Sequence, residues 1–237
     1  MVCDIWFKLI SCNCVCRSVI PCILIDVQGM SITTDFLRWK YQKVEYIWAT
    51  WTQFIDSWFS YGWWWYLKID AKIMFNQLPT SDWYFIYWVI WRNSNNRFLA
   101  LNYNSWNIFQ WATWTEYFTN FTWTTWTIYD TSLLYTWWNM TIKVNNNTVS
   151  TSSTWNMYQG HSLPIFCRYD NGKNSYDLYS KIRLYSFKIY SSSNTMVRNF
   201  VPCYRKSDNV IWLLDIVNKV FYTNQWSWSF TKWPDVN

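Results

Sequence analysis

Carboxylates of the kind that do acid–base work are scarce in this chain of 237 residues: its only glutamates, Glu45 and Glu116, are far apart in sequence. Retaining glycoside hydrolysis needs two carboxyl groups ~5–5.5 Å apart, yet neither glutamate has an aspartate two positions on. Asp56 and Asp70 are single carboxylates on predicted strand faces, a pattern of solvation. Serine or cysteine hydrolysis usually needs a histidine base. The one histidine, His161, lies in a predicted loop between Gly160 and Pro164, where a surface role is the simpler reading. No strand, glycine-rich loop and helix follow one another to cradle a phosphate. The expectation is that the chain is not an enzyme and has no catalytic residues.

Metal chemistry is equally thin. Cys12, Cys14 and Cys16 form a Cys-x-Cys-x-Cys run that lacks the two-residue gap of common zinc knuckles. Calcium needs several converging oxygens. Asp170, Asp177 and Asp208 are possible donors, but their spacing resembles no dedicated loop, so no metal and no cofactor is expected. Cys167 and Cys203 make at most one bridge and are readable as buried free thiols.

Binding is better provided for. Sugars are held by aromatic faces together with amide or carboxylate groups. Arg92-Asn93-Ser94-Asn95-Asn96, with Asn102-Tyr103-Asn104 close behind, offers that mix, as do Arg168, Tyr169, Asp170 and Asn171. The candidate ligand contacts are therefore Arg92, Asn93, Asn102, Tyr103, Tyr169 and Asp170. The plainer alternative is that these asparagines form turns and these tyrosines flank a core.

The elements that must position these residues are strands. Leu67, Ile69, Ala71, Ile73 and Phe75 alternate with Lys68, Asp70 and Lys72, the pattern of a strand with one wet face. Trp83 to Ile90 is apolar on both faces, as in a central strand. Ile142 and Val144 start a strand that turns at Asn145-Asn146-Asn147. Asp170-Asn171-Gly172-Lys173 predicts a hairpin, because Asn-Gly accepts the positive φ of a type I′ turn. Between Leu178 and Tyr190 the apolar phase shifts from Ile182 and Leu184 to Phe187 and Ile189, which predicts a bulge near Tyr185. No segment sustains a helical period.

Composition carries one anomaly: 23 tryptophans beside 4 glycines. Average usage would supply roughly 17 glycines. Trp63-Trp64-Trp65, Trp137-Trp138, Trp123-Thr124-Thr125-Trp126 and Trp226-Ser227-Trp228-Ser229 all fall where reversals or small-residue loops are expected. Such sites often need positive φ, which a bulky side chain resists. Read as glycine, each becomes an ordinary turn or loop. A UGA codon is read as Trp in some genetic codes and as Gly in others, so most of these tryptophans are expected to stand where the gene encodes glycine. Trp83, inside a strand, is the expected genuine exception.

The remaining bulk properties set boundaries. The net charge of +6 is modest and its lysines and arginines are scattered, so nucleic acid is not an expected partner. There is no long apolar run to span a membrane. With 51% hydrophobic residues, one β-rich domain can fill a sizeable core. Residues 1–40 read as an N-terminal segment apart from the domain at 41–237. Within it, Asp4, Pro21 and Asp26 argue against a signal peptide, and translation starting at Met30 is the simpler expectation.

Two stretches then resemble a known group. Val44-Glu45-Tyr46-Ile47-Trp48-Ala49-Thr50-Trp51-Thr52-Gln53-Phe54-Ile55-Asp56-Ser57-Trp58 looks like the opening of bacterial and phage proteins that carry a laminin-G-like, concanavalin A-like domain. The closing stretch is similar too, from Arg198-Asn199-Phe200-Val201-Pro202-Cys203-Tyr204-Arg205 through Val220-Phe221-Tyr222-Thr223-Asn224 to Lys232-Trp233-Pro234-Asp235-Val236. It departs at Trp48, where glutamate is usual, and at the Trp-for-Gly positions. The resemblance implies an all-β fold, a two-sheet antiparallel jelly-roll β-sandwich. That fold also includes glucanases, whose Glu-x-Asp-x-Glu strand is missing here. The function it implies is a non-catalytic glycan-binding or adhesion module, with glycans or a host surface receptor as partners. The expected location is extracellular, at a cell surface or on a virion such as a phage tail. A structural decoration domain without a ligand is the alternative, and a glycoside hydrolase with an unfamiliar acid pair the weaker one.

Overall fold

The computed structural model describes residues 40–50, 52–60, 66–76, 84–90, 101–103, 108–112, 116–136, 139–152, 161–170, 174–177, 179–226 and 228–236. The strands are, in chain order, β1 (Tyr41–Trp48), β2 (Ile55–Ser60), β3 (Tyr66–Phe75), β4 (Tyr84–Ile90), β5 (Leu101–Tyr103) and β6 (Ile108–Ala112). There follow β7 (Glu116–Thr122), β8 (Ile128–Thr136), β9 (Asn139–Val144), β10 (Asn147–Ser152), β11 (Ser162–Ile165) and β12 (Arg168–Asp170). The chain continues through β13 (Ser175–Asp177), β14 (Ile182–Ser191), β15 (Thr195–Arg205), β16 (Ile211–Asp215), β17 (Val220–Tyr222) and β18 (Thr231–Asp235). The segments at 1–39, Trp63-Trp64-Trp65, Trp83 and Trp137-Trp138 lie outside the described residues.

One sheet runs β10-β9-β8-β3-β14-β1-β15-β16-β17, with β18 on β1. The other runs β13-β12-β4-β5-β6-β7, with β11 joining β2 and β4. Among the described pairings, only β12 on β4 is parallel. Their facing sides close a core of Leu67, Ile69, Ala71 and Ile73 from β3, Leu184, Phe187 and Ile189 from β14, and Ile55, Ile86, Leu163 and Ile165 from the second sheet. Tyr87 meets Phe187 edge-on across the layers at 5.4 Å. This is the expected two-sheet jelly-roll sandwich. No helix among the described residues is long and apolar enough to cross a membrane.

The period-2 reading of β3 holds: Leu67 to Ile73 point into the core, while Lys68, Asp70 and Lys72 stand half-buried on the outer side. The bulge falls where the phase shift placed it, because the β14–β3 register slips between Leu184 and Ser186. The extra residue, Tyr185, keeps Leu184 and Phe187 both on the core face despite their odd spacing. It likewise leaves Arg183 and Ser186 both outward. Val144 and Asn147 pair to close the predicted turn, with Asn145 at φ 52. The β12–β13 hairpin also forms, but Asp170 pairs with Ser175, which leaves four connecting residues instead of the two of a type I′ turn.

The tryptophans divide. Trp58 and Trp126 hold φ of 49 and 63, a region where a Cβ crowds the backbone and glycine does not. Trp226 and Trp228 are exposed. Trp123 lies just past β7, in the loop its spacing implied, but its side chain is packed: it is 1% exposed, with its ring 4.4 Å from Phe75.

Candidate functional site

Because β9, β8, β3 and β14 are neighbours, their outward residues share one surface. A groove of about 810 Å³ crosses it, lined by Lys68, Asp70, Lys72, Asp130, Ser132, Lys143, Asn145, Asn146, Ser186 and Lys188 among others. Strand register arranges these side chains in two rows. Lys188 stands opposite Asp70, Asp70 opposite Ser132, and Ser132 opposite Lys143. In the second row Ser186 faces Lys72, and Lys72 faces Asp130. Beneath them Thr131 donates its hydroxyl to the Ala71 carbonyl at 2.9 Å, tying β8 to β3. At one end Asn145 Oδ1 accepts from the Asp130 N–H at 2.9 Å, and the Asn145 N–H donates to the Asp130 carbonyl at 2.7 Å.

Four lysines against two aspartates make the groove electropositive. Lys68 Nζ meets Asp70 Oδ2 at 2.9 Å and lies 4.7 Å from the centre of the Tyr190 ring. Burial pulls the Lys68 ammonium down, but the hydrogen bond and charge of Asp70 outweigh it and hold its pKa above the ordinary lysine value. The other Asp70 oxygen is shielded from solvent and meets no donor. Among the described residues, Lys72, Lys143 and Lys188 form no ion pair.

Two further clefts are built differently. Arg183, outward on β14, lies 4.6 Å from the Tyr46 ring centre and 5.1 Å from that of Trp126, and with Trp48 and Trp233 it lines a cleft of about 260 Å³. Trp226 and Trp228 line a third of about 340 Å³ with Asp208, Asn209, Thr223 and Asn224. Two of its polar side chains, Asn224 and Asp208, are already engaged. Asn224 donates to the Trp226 and Trp228 carbonyls and accepts from the Phe54 N–H, while Asp208 is bound by Arg205.

Of the residues singled out in the sequence, Arg92 and Asn93 lie outside the described residues. Asn102 and Tyr103 are on β5, and their side chains are likewise outside what is described. Tyr169 and Asp170 are inside the second sheet. Asp170 is fully buried, with a carboxylate oxygen 3.7 Å from Arg168. Arg168 also grips Asp177 through two bonds of 2.7 and 2.6 Å. Tyr169 is 2% exposed, donates to Asn174 Oδ1 and stacks on His161 at 3.7 Å. Burial holds the His161 pKa below its ordinary value, with Asp56 pulling the other way. Of the possible calcium donors, Asp170 and Asp177 share Arg168, and Asp208 is bound by Arg205. Among the described residues no three His, Cys, Asp or Glu side chains gather to hold a metal. Sequence reasoning saw Lys68, Asp70 and Lys72 only as a wet strand face. The residues that complete the groove come from β8, β9 and β14, and only the order of strands brings them together.

No protein-family model matches the chain, and no curated protein matches it in sequence. Among solved structures, a candidate carbohydrate-binding protein from Bacteroides ovatus is similar with a TM-score of 0.58 and 11% identity, over 82% of this chain and 62% of that one. The Trypanosoma rangeli sialidase is similar with a TM-score of 0.43 and 12% identity, over 56% of this chain and 21% of that one. Alginate lyase A1-II′, of polysaccharide lyase family 7, has a TM-score of 0.40 and 14% identity, over 56% and 65%. This chain thus spans less than two thirds of each. At these identities the likeness is one of fold. One expectation is corrected: a sialidase and a lyase stand among the structural neighbours, so the missing Glu-x-Asp-x-Glu strand and histidine base do not make this chain a non-enzyme. Nothing of the neighbours' reactions passes to it.

Proposed function

We propose that the chain is a carbohydrate-binding β-sandwich module whose ligand lies in the groove over β9, β8, β3 and β14. The observation that carries this reading is the density of donors and acceptors in that groove. Ammonium, hydroxyl and carboxylate groups stand in register on the strands, with the Asn145 and Asn146 amides at the turn beside them, which suits a ligand made of closely spaced hydroxyls. The Bacteroides ovatus protein, a candidate carbohydrate binder on the same fold, supports the reading by analogy. A glycan array probed with the whole chain tests it. Binding to a defined set of glycans is the expected result, and a flat array overturns it in favour of a structural decoration domain.

The setting proposed for this module is an adhesive protein outside the cell, at a bacterial surface or on a phage tail. Tail genes beside the coding sequence would indicate a virion part, and anchor or secretion genes a surface protein. We also propose that most loop tryptophans occupy positions the gene encodes as glycine, supported by the positive φ of Trp58 and Trp126. The codons decide this: UGA at these positions is expected, and UGG refutes it.

A further inference from the structure

We propose that the groove is specific for an acidic polysaccharide, whose anionic groups are held by Lys72, Lys143 and Lys188. This rests on the carbohydrate-binding reading above and narrows it to a ligand class. A neutral sugar is recognised largely by stacking its apolar face on an aromatic ring. The groove lining contains no aromatic residue, and Tyr190 is covered on one face by Lys68. What it offers instead is charge, and three of its four ammonium groups form no ion pair among the described residues. An empty groove therefore keeps positive charge that an anionic ligand would neutralise.

The spacing favours a polymer over a small anion. Lys188 and Lys143 end a row that crosses β14, β3, β8 and β9, three interstrand spacings or about 14 Å. Lys72 stands in the adjacent row between them. Three cations so distributed match anions repeated along an extended chain. The acceptors between them point to hydroxyl donors. Asp130 and Asp70 are acceptors set between the lysines, and a sugar chain brings hydroxyl donors for them that the phosphodiester groups of a DNA backbone lack. No tryptophan lines the groove, so the inference stands whichever residue occupies the loop tryptophan positions.

The test is affinity electrophoresis of the whole chain through gels containing polygalacturonate, a sulfated galactan or a neutral β-glucan, with single-stranded DNA as a competitor. The variant K72Q/K143Q/K188Q is compared with K206Q/K219Q, which removes exposed lysines outside the groove. Both are checked for unchanged thermal unfolding. The expected result is retardation by polygalacturonate that weakens with added salt. The groove triple variant should lose about tenfold or more in affinity, and the control variant none. Retardation by the sulfated galactan alone, lost in the triple variant, also supports the inference and identifies the anion as sulfate. Retardation by neutral glucan alone, or a triple variant equal to wild type, overturns it and leaves the carbohydrate-binding reading intact. DNA that binds as tightly as the polysaccharide overturns it too. If no polysaccharide retards the chain, both readings fall.

Discussion

The sheet groove and the tryptophan cleft differ in what fixes their side chains. Each groove residue on β3, β8 and β14 sits one position from a residue sealed in the core, as Lys188 sits between Phe187 and Ile189. Moving it would require slipping the register, which would turn the core outward. The cleft at Trp226 and Trp228 is instead shaped by loop backbone gathered around one amide, that of Asn224. Its two tryptophan side chains are more than half exposed. The difference teaches that the groove's geometry is a by-product of folding, whereas the cleft's geometry is optional. A site that must be rigid is better sought in the groove.

The largest effect should come from attacking the groove's foundation. Phe187→Ala removes a fully buried ring between Ser186 and Lys188 and is expected to cost ~3–5 kcal/mol. Replacing Trp226 and Trp228 together by glycine should stay within about 0.5 kcal/mol of wild type. Urea denaturation of both variants checks the contrast. Similar losses from the two would mean that the loop is as much a part of the stable core as the sheet.

Buried thiols report chemically on both sheets, Cys203 on the groove's sheet and Cys167 between β11 and β12 of the other. Cys203 on β15 is pushed up to about 12 by burial, partly offset by a backbone hydrogen bond from Leu214, and burial also raises Cys167. A folded-state pKa raised above the unfolded value means that the native protein prefers the protonated thiol. The stability this contributes is present below pH 9 and is lost as pH rises from 9 toward 12. At pH 10 the Cys203 share of that loss is about 1.4 kcal/mol. In Cys203→Ser the decline of stability between pH 8 and pH 10 should be shallower by about that amount. Iodoacetamide should modify neither thiol in the folded chain at neutral pH, while acrylamide should readily quench exposed Trp226 and Trp228. Fast alkylation of Cys203 would show that the sheet opens as easily as the loop.

The same division decides what could be read from the sequence. The alternation of Leu67 to Phe75 exposed Lys68, Asp70 and Lys72, and the phase slip at Tyr185 located a bulge, because period 2 is a local property of the backbone. The partnership of those residues with Lys143 and Lys188 was not legible, since it depends on β3 lying between β8 and β14. Polar residues at a turn mislead for a related reason. Arg168, Tyr169 and Asp170 have the composition of a sugar site, yet their strand pairs in parallel with β4, which buries Tyr169 and Asp170 and leaves Arg168 half-buried. There the arginine is needed to satisfy two carboxylates. Residue type suggested recognition, and burial turned it to structure.

The smallest effects should come from the two tryptophans whose backbone is left-handed, and they sharpen the contrast from the loop side. Trp58→Gly removes the crowding of a Cβ at φ 49, worth roughly 1–2 kcal/mol, but adds unfolded-chain freedom worth roughly 0.5–1 kcal/mol. It also loses a tilted contact with Tyr222 at 5.0 Å. The net expectation is a gain of up to about 0.5–1 kcal/mol. Trp126→Gly has the same backbone benefit at φ 63, but gives up the ring 5.1 Å from Arg183, a contact worth ~0.5–1 kcal/mol. It should therefore fall in the same range, between neutral and a gain of up to about 0.5–1 kcal/mol. Thermal unfolding of the two single variants reads both. A clear loss at Trp58 would mean that the indole is packed in a way that favours tryptophan over glycine there, and the case for glycine at that position would fail on physical grounds before any codon is inspected. A gain at Trp58 with no change at Trp126 would instead show that the left-handed backbone in β2 asks for glycine and that Arg183 has merely made use of the side chain at Trp126. In either result the lysine rows stay where β3 and β14 hold them.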